Sequence, residues 1–413
     1  RAELKASLAA VERFVTTREP RFFAQALSTM GTLRALEKKQ AGEGATLVTT
    51  ALGASLPPAL ASREPLLAYM ALLPAGTPAP PEEKAADTEE EKAAAKKREE
   101  AAKKAAPETE VYLSTIVLCL LIDASKLDEA TACASALIER VGGFNRRTLD
   151  PFAERVLFYA SWAYERAGKL QDIRSVLLAA NRTAGLHHNT TCQATTLNLL
   201  LRSYLHYKLF DQAEKLLTKA AFPESASNTQ LARFLYYNGR IKALQLEYTE
   251  AHRCLLQAQR KAPQKKALGF RLSVHKLGTI VQLLLGEIPD RAFFRATDSR
   301  VPMTPYLKLV QAVRLGDLSA FKSAMDAHAA LFTADGNYTL VMRLRQNVIR
   351  AGLRNISLAY SRICLADVAA KLGLDSPEDM EAIAAKAIRD GVIEARLDHE
   401  RGVLLSQPMH DVY

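Results

Sequence analysis

The sequence predicts a mainly α-helical protein of more than one domain, and three observations support this fold class. Glycine and proline supply only 19 and 17 of the 413 residues, whereas Ala, Leu, Glu, Lys and Arg, which favour helices, dominate every long segment. Helix starts recur through the middle of the chain at intervals of about 40 residues. The last part of the chain follows a different pattern, which includes short strands. A hydrophobic content of 48% is enough to fill the cores of two or three domains.

The first two segments differ in composition. Residues 1–73 predict an N-terminal helical region with breaks at Pro57-Pro58 and Pro65. Residues 74–107 begin with prolines and continue in charged blocks such as Glu89-Glu90-Glu91, without an apolar face. We interpret this charged, proline-rich segment as a linker, with a single solvated helix as the alternative.

Neither the apolar stretches nor the cysteines indicate a membrane or a secreted protein. The longest nearly uncharged apolar stretch, Val111–Ile122, is well short of the roughly 20 residues that a membrane-spanning helix needs, so we predict a buried helix. No basic-then-apolar leader follows Arg1, and we expect no targeting signal. Five cysteines without a C-x-x-C pair favour a reducing compartment over a disulfide framework or a zinc knuckle.

The strongest pattern is a repeat between residues 108 and 335. Five apolar markers each precede a predicted helix start: the markers are Leu127, Leu170, Phe210, Tyr248 and Leu318. The residues that follow them are Asp128, Gln171, Asp211, Thr249 and Ser319, and all of these except Gln171 are residues that we predict to cap a helix. The first four markers are 43, 40 and 38 residues apart, and the last interval of 70 residues contains one degenerate copy. The repeat predicts a series of similar helical units.

One face of each predicted helix is apolar. Small or apolar residues recur at positions i, i+3, i+4 and i+7, as in Ala130, Cys133, Ala134 and Leu137, and again in Ile173, Val176, Leu177 and Ala180. A second apolar helix precedes each start, so the unit is a helix hairpin. Such hairpins resemble tetratricopeptide-like repeats, and they bury their apolar faces by stacking on their neighbours. Residues 108–335 therefore predict a helical-hairpin solenoid, an architecture typical of proteins that hold partners.

Residues 336–413 predict a small module of helices and strands. Helical spacing covers Tyr338–Ile349, a short strand is predicted near Ser361–Ile363, and a second helix runs from Leu365 to Leu372. Ser376 and the Pro-Glu-Asp that follows it mark the start of a third helix, which ends at Arg389.

Two short runs complete this module. Apolar and polar residues alternate from Ile393 to Leu397 and from Val403 to Leu405, with a turn between them, which predicts a β-hairpin. The order helix, strand, helix, helix, hairpin is that of a winged helix.

Helical repeats that run directly into a winged helix resemble the PCI-domain family, whose members include scaffold subunits of the proteasome lid, the signalosome and a translation initiation factor. Several strings are most similar to those of the lid members: Val274–Leu277, Leu284–Arg291, Gln311–Arg314, Leu365–Ala369, Leu374–Asp379 and Ala387–Ala395. The similarity is close over about residues 260–410 and only architectural before that.

The resemblance implies a non-catalytic scaffold subunit of a hetero-oligomer, in the cytoplasm and nucleus, that supports ubiquitin-dependent protein degradation. Its implied partners are other PCI subunits of the proteasome lid, with the deubiquitinase module and the ATPase ring as indirect partners. The winged helix is expected to dock edge to edge on neighbouring subunits. Two alternatives remain open: a PCI scaffold of the signalosome or the initiation factor, and an RNA-binding helical-repeat protein.

Basic residues near the C-terminus are candidates for a protein interface. Five arginines and no acid lie between Asp335 and Asp367, and we interpret them as contacts to an acidic partner, with a solvated face or RNA as alternatives: these are Arg343, Arg345, Arg350, Arg354 and Arg362. Ile363 and Val403 are further candidates, since a charge at either position is predicted to disrupt the folding or the docking of the winged helix.

The third helix of the winged helix argues against nucleic-acid binding. Four acids lie between Glu378 and Asp390 against only Lys386 and Arg389, and this net negative charge would be repelled by phosphate. The free edge of the hairpin instead offers unpaired backbone groups to a strand of another protein. We therefore predict protein docking.

The sequence predicts neither a metal site nor a catalytic site. His187-His188 and Cys192 carry groups that bind zinc, but a fourth ligand is missing nearby. The H-E-x-x-H, G-x-S-x-G and P-loop patterns are absent, and so is the His-x-His pattern of the lid deubiquitinase. Trp162 falls on an apolar helix face and is predicted to be core. We expect no cofactor and no enzymatic activity.

Overall fold

The structure is a computed structural model that describes residues 2–39, 42–56, 62–73, 106–264, 267–295, 300–374 and 376–406. The chain divides into two compact units: Arg1–Ala213 with Thr218–Ser227, and Glu214–Leu217 with Asn228–Tyr413. The domain boundaries drawn from the sequence at residues 73, 107 and 335 stay a prediction. The predicted linker lies outside the described residues, except for residues 106 and 107.

The first unit begins with four helices that surround a fifth. These are α1 (Ala2–Thr17), α2 (Pro20–Lys39), α3 (Glu43–Ser55), α4 (Arg63–Ala71) and α5 (Ala106–Asp123), and each of the first four packs on α5. Every residue from Val111 to Ile122 is buried, which confirms the predicted buried helix. Because α5 is covered on all sides, its sequence needs no polar face. None of the described helices combines the length and apolarity that a membrane crossing requires.

The rest of the first unit consists of helix hairpins, as predicted. The helices are α6 (Leu127–Gly142), α7 (Asp150–Arg166), α8 (Arg174–Leu186) and α9 (Thr190–His206), with a 3-10 turn at Arg147–Leu149. The next helix, α10 (Phe210–Lys219), is divided between the two units. Helix α5 packs on α6, and α8 packs on α9, while α7 contacts both α6 and α9.

One arginine joins the N-terminal helices to the hairpins. Arg34 of α2 donates two hydrogen bonds to Asp123 at the end of α5, at 2.6 and 2.8 Å. Its guanidinium also lies over the rings of Tyr159 and Trp162 of α7, at 5.9 and 5.3 Å from their centroids. Trp162 is therefore half-buried beneath a charged group rather than enclosed in an apolar core.

The second unit also begins with helix hairpins. Its helices are α11 (Asn228–Leu244), α12 (Tyr248–Lys261), α13 (Leu268–Leu285), α14 (Arg291–Phe294), α15 (Arg300–Leu315), α16 (Leu318–Ala334) and α17 (Tyr338–Ala359). Helix α12 packs between α11 and α13, and α15 packs on α16. Helix α17 contacts α13, α15 and α16, and it extends ten residues beyond the predicted Ile349. One apolar cluster runs from Ala243 to Leu404.

The predicted helix starts are confirmed at four markers, but the start predicted at Leu170 is wrong, since α8 begins at Arg174. The predicted caps are also wrong. The markers Leu127, Phe210, Tyr248 and Leu318 are the first residues of their helices, so the predicted caps lie inside the first turn. Each of these four markers is partly or fully buried and packs as part of its helix. The capping residue therefore lies before the marker in the sequence. Asp317 is such a cap: its Oδ1 accepts hydrogen bonds from Ser319 N at 2.9 Å and Ala320 N at 3.1 Å.

One predicted core position is also wrong. Val176 of α8 is 38% exposed, although the periodicity predicts it to be buried. It lines a cavity of about 480 Å³ together with Ile138 of α6 and Val156 of α7. Periodicity identifies the face that points inward, but the spacing of neighbouring helices decides whether a side chain on that face is covered.

The winged helix has the predicted order of elements. After α17 come β1 (Arg362–Cys364), α18 (Leu365–Leu372), α19 (Pro377–Arg389), β2 (Ala395–Asp398) and β3 (Val403–Ser406). The sheet has the order β1-β3-β2, and both pairings are antiparallel. Gly373 ends α18 in the left-handed conformation. Ser376 caps α19, since its Oγ accepts a hydrogen bond from Asp379 N at 3.3 Å.

Candidate functional site

The five candidate arginines do not form one surface. Residues 7 and 11 positions apart lie on the same face of a helix, so Arg343, Arg350 and Arg354 share one face of α17. Arg345 follows Arg343 by two residues and points to roughly the opposite side, and Arg362 lies on β1. All five side chains are exposed.

Two of these arginines are engaged within the chain. Arg343 Nη1 donates to the carbonyl of Leu244 at 3.4 Å. Arg350 forms an ion pair with Asp390, at 2.9 Å, which joins α17 to the end of α19. Within the described ranges, Arg345, Arg354 and Arg362 make no ion pair. The charges of these three arginines therefore remain open to a partner, and the assignment of the whole group to an interface stays a prediction.

The two apolar candidates lie inside the winged helix. Ile363 is 7% exposed and Val403 is 4% exposed. Ile363 pairs with the fully buried Leu404 across the β1–β3 ladder, and Val403 pairs with Cys364. Both side chains are buried, so a charge at either position would act on docking through the fold of the sheet.

Among the described strands, only β3 pairs with β1, so the outer side of β1 has no strand beside it in this part of the chain. The hydrogen bonds that bracket β1 run from Ser406 N to Ser361 O at 3.0 Å and from Leu365 N to Gly402 O at 2.8 Å. Alternate residues of an antiparallel strand bond to opposite sides. The main-chain groups of Arg362 and Cys364 therefore point away from β3, towards the edge.

The outer edge of the hairpin is open in the same way. Because Leu404 of β3 bonds to β1, its neighbours Val403 and Leu405 bond to β2. Ala395 and Leu397 of β2 then direct their main-chain groups outward. Within the described part of the winged helix, the sheet thus has two unpaired strand edges, of which the sequence had predicted the one on the hairpin.

Two of the acids of α19 are exposed in its first turn, and the acids further along contact basic side chains. Glu378 and Asp379 are exposed in its first turn, whereas Glu381 Oε1 lies 2.6 Å from His399 Nδ1 in the hairpin turn. Asp390 pairs with Arg350. The first turn of α19, which would approach DNA bases in a DNA-binding winged helix, therefore presents negative charge.

The last hairpins carry a basic cleft that was not predicted from the sequence. A cavity of about 640 Å³ extends along α15 and has an apolar floor that includes Met303 and Val310. Four arginines line it: Arg291, Arg295, Arg300 and Arg314. Their positions along the chain are irregular, and only the i, i+4 spacing of Arg291 and Arg295 could have indicated a shared face.

The three residues considered for a metal site do not belong to a metal-binding cluster in the described part of the chain. His187 and His188 follow α8, whereas Cys192 is buried within α9. Burial raises the pKa of the Cys192 thiol to about 12. Across the residues that the structure describes, no group of three or more His, Cys, Asp or Glu side chains is arranged to hold a metal ion.

The fold and the site define a class of protein: tandem helix hairpins that end in a winged helix with two open sheet edges. A family model described as "PSMD3-like, N-terminal TPR repeats" matches residues 1–310, and a PCI domain model matches residues 325–408. The similarity thus includes the N-terminal helices, where the resemblance seen in the sequence was only architectural.

Curated relatives agree with both matches. The chain is 44% identical over 403 residues to the probable 26S proteasome non-ATPase regulatory subunit 3 of Anopheles gambiae. The aligned residues make up 98% of this chain and 77% of that protein. It is 52% identical over 310 residues to the Nicotiana tabacum protein of the same name, covering 74% and 63%. For 26S proteasome non-ATPase regulatory subunit 3 of Dictyostelium discoideum the identity is 50% over 307 residues, covering 74% and 61%. The chain belongs to the family of 26S proteasome non-ATPase regulatory subunit 3.

Proposed function

We propose that this protein is a non-catalytic scaffold subunit of the lid of the proteasome regulatory particle, and that it supports ubiquitin-dependent degradation by holding other subunits in place. The observation that carries this proposal is the identity of 44% over 98% of the chain to a protein named as a regulatory subunit of the 26S proteasome. The C-terminal PCI match and the open sheet edges supply the means of assembly.

The winged helix is the proposed point of contact with other PCI subunits. An unpaired strand edge can add a strand from another protein through main-chain hydrogen bonds. The negative charge of α19 disfavours a polyanionic ligand, and the apolar residues of the sheet hold its edges in register. The deubiquitinase module and the ATPase ring are then indirect partners, reached through the neighbouring lid subunits.

The absence of catalysis belongs to the same proposal. The relatives are named non-ATPase regulatory subunits, and the sequence contains none of the catalytic patterns considered above. Five free cysteines, four of them buried, suit a reducing compartment, so we place the protein in the cytoplasm and nucleus.

Purification of the tagged chain from cells tests the proposal. A lid subunit should bring down ATPase-ring subunits and deubiquitinase activity in stoichiometric amounts. Recovery of ribosomal subunits would favour the initiation-factor alternative, and recovery of neither would contradict the proposal. RNA binding is tested separately, because several phosphate contacts would make the affinity fall steeply between 50 and 200 mM salt, roughly a thousandfold or more for six or more contacts.

A further inference from the structure

We propose that the basic cleft along α15 is a docking site for a phosphorylated segment of a partner protein, and that arginines at the α14 end of the cleft hold the phosphate. The inference goes beyond the proposed function, because the cleft lies on the last hairpins and not on the sheet of the winged helix.

The cleft is long enough for an extended segment of chain. One face of α15 forms its floor, since lining residues follow one another every three or four positions: these include Arg300, Met303, Leu307, Val310 and Arg314. Arg300 and Arg314 are fourteen residues apart, which places their Cα atoms about 21 Å apart along the helix axis. An extended segment of about six residues spans this distance. A single small anion does not reach both ends.

The charge of the cleft is positive and unpaired. Its lining contains four arginines and no acid. All four side chains are exposed, and none of them forms an ion pair with another residue in the described ranges. Glu287 and Asp290, the acids nearest in sequence, do not line the cavity. The complementary partner is therefore an anion.

Three of the arginines stand at one end of the cleft. Arg291 and Arg295 are one helical turn apart, and α14 packs on α15, which begins at Arg300. A phosphate monoester carries nearly two negative charges near pH 7 and has three acceptor oxygens. It satisfies three guanidinium groups better than a carboxylate, which carries one charge. Arginine also binds phosphate through paired hydrogen bonds, so we assign this end to a phosphorylated serine or threonine.

The floor between the two charged ends selects apolar neighbours for the phosphorylated residue. Ile288 is 53% exposed at the cleft, and Leu307 is partly buried beside the buried Met303 and Val310. Exposed apolar surface with a polar rim is typical of an interaction site. Alternate side chains of an extended segment point to the same side, so apolar residues are expected at every second position from the phosphate.

A symmetric synthetic peptide tests this chemistry in either chain direction. The probe is fluorescein-labelled Leu-Gly-Leu-Gly-phosphoserine-Gly-Leu-Gly-Leu, and its binding to the full chain is measured by fluorescence anisotropy. We expect it to bind at least about tenfold more tightly than the same peptide with serine or glutamate at the centre. Replacing its leucines with glycine should weaken binding by about tenfold.

A matched pair of double variants places the site. Arg295→Gln with Arg300→Gln should abolish the preference for phosphoserine. Arg260→Gln with Lys261→Gln removes the same charge from exposed positions on α12, outside the cleft, and should leave the preference unchanged. All four side chains are exposed, so both double variants should melt at the wild-type temperature.

Four results would overturn the proposal. Equal binding of the phosphoserine and serine peptides would exclude a phosphate site, and equal binding of the glutamate peptide would show that any negative charge suffices. A preference that persists in Arg295→Gln with Arg300→Gln would place the site elsewhere. Displacement of the probe by inorganic phosphate as effectively as by unlabelled phosphopeptide would show a site for a free anion rather than for a docked segment.

Discussion

The backbones of Gly316 and Gly352 lie in direct contact, where the turn between α15 and α16 meets the middle of α17. A Cβ atom at Gly352 would lie 2.7 Å from the carbonyl oxygen of Gly316 and 2.5 Å from Leu372 Cδ2, closer than side chains tolerate. Gly316 also adopts a φ of +71°, which favours glycine. Leu372 belongs to α18, so α17 contacts both the last hairpin and the winged helix at Gly352.

Gly352→Ala should therefore destabilise the second unit. The added methyl group forces α17 away from the turn at Gly316, and overpacking of this kind costs about 1–3 kcal/mol. Denaturant unfolding measures the loss. Gly278→Ala is the control, since no atom lies within 4 Å of its Cβ position and the change should stabilise α13 by about 0.5–1 kcal/mol. Equal midpoints for Gly352→Ala and wild type would show that the close contact does not constrain the fold.

Asp123→Asn should loosen the N-terminal helices of the first unit. The substitution removes the charge that Arg34 binds through two hydrogen bonds, and loss of a charged hydrogen bond costs about 1.5–3 kcal/mol. The only tryptophan, Trp162, lies beneath the same guanidinium, so its fluorescence reports the change directly. Asp128→Asn breaks an exposed pair with Lys169 and should cost less than about 0.5 kcal/mol.

The effect of Asp123 should depend on pH. Burial raises the pKa of this carboxyl, but the hydrogen bond and charge of Arg34, with Lys38 and Arg166, outweigh burial and leave the pKa below its usual value. The stabilisation is therefore fully present above about pH 4, the pKa of an unfolded aspartate, and is lost as the pH falls through the folded pKa. The difference in stability between wild type and Asp123→Asn should shrink in that range; a difference that grows on acidification would contradict this assignment.

Tyr306→Phe should weaken the contact between α15 and the turn that joins α16 to α17. The Tyr306 hydroxyl donates to Asp335 at 2.8 Å and accepts from Asn337 Nδ2 at 3.3 Å, and Lys276 pairs with the same carboxylate at 2.8 Å. Burial raises the pKa of Tyr306, so the hydroxyl stays protonated and able to donate. Removing it should cost about 1–3 kcal/mol in denaturant unfolding. Tyr338→Phe, at an exposed position, should change stability by less than about 0.5 kcal/mol.

Ile363→Asp and Val403→Asp should each unfold the winged helix and so prevent assembly. A carboxylate at either buried position has no partner, and burying an unpaired charge costs several kcal/mol. Leu405→Asp is the matched control: it lies on the same sheet but is 37% exposed, so the module should still fold. Circular dichroism and incorporation into regulatory particle provide the two measurements. Normal incorporation of both buried variants would refute the role of this sheet.

The sequence predicted most elements of the winged helix because their signals are local. Ser376 caps α19, Gly373 ends α18, and the alternation from Ile393 onward gives the hairpin, each within a few residues of chain. The candidate arginines were less predictable. Their spacing places Arg343, Arg350 and Arg354 on one face, but it does not reveal that Arg350 is paired with Asp390, forty residues away.

Local chemistry thus determined that the chain forms helix hairpins followed by a winged helix, because helical periodicity, caps and strand alternation act between residues close in sequence. Only the tertiary structure decided which apolar side chains are covered, which charges remain unpaired and which strand edges are open. Val176 and the β1 edge are two such cases, since their exposure depends on how distant elements pack. Packing between distant elements is a property of the folded chain, and no short stretch of sequence contains it.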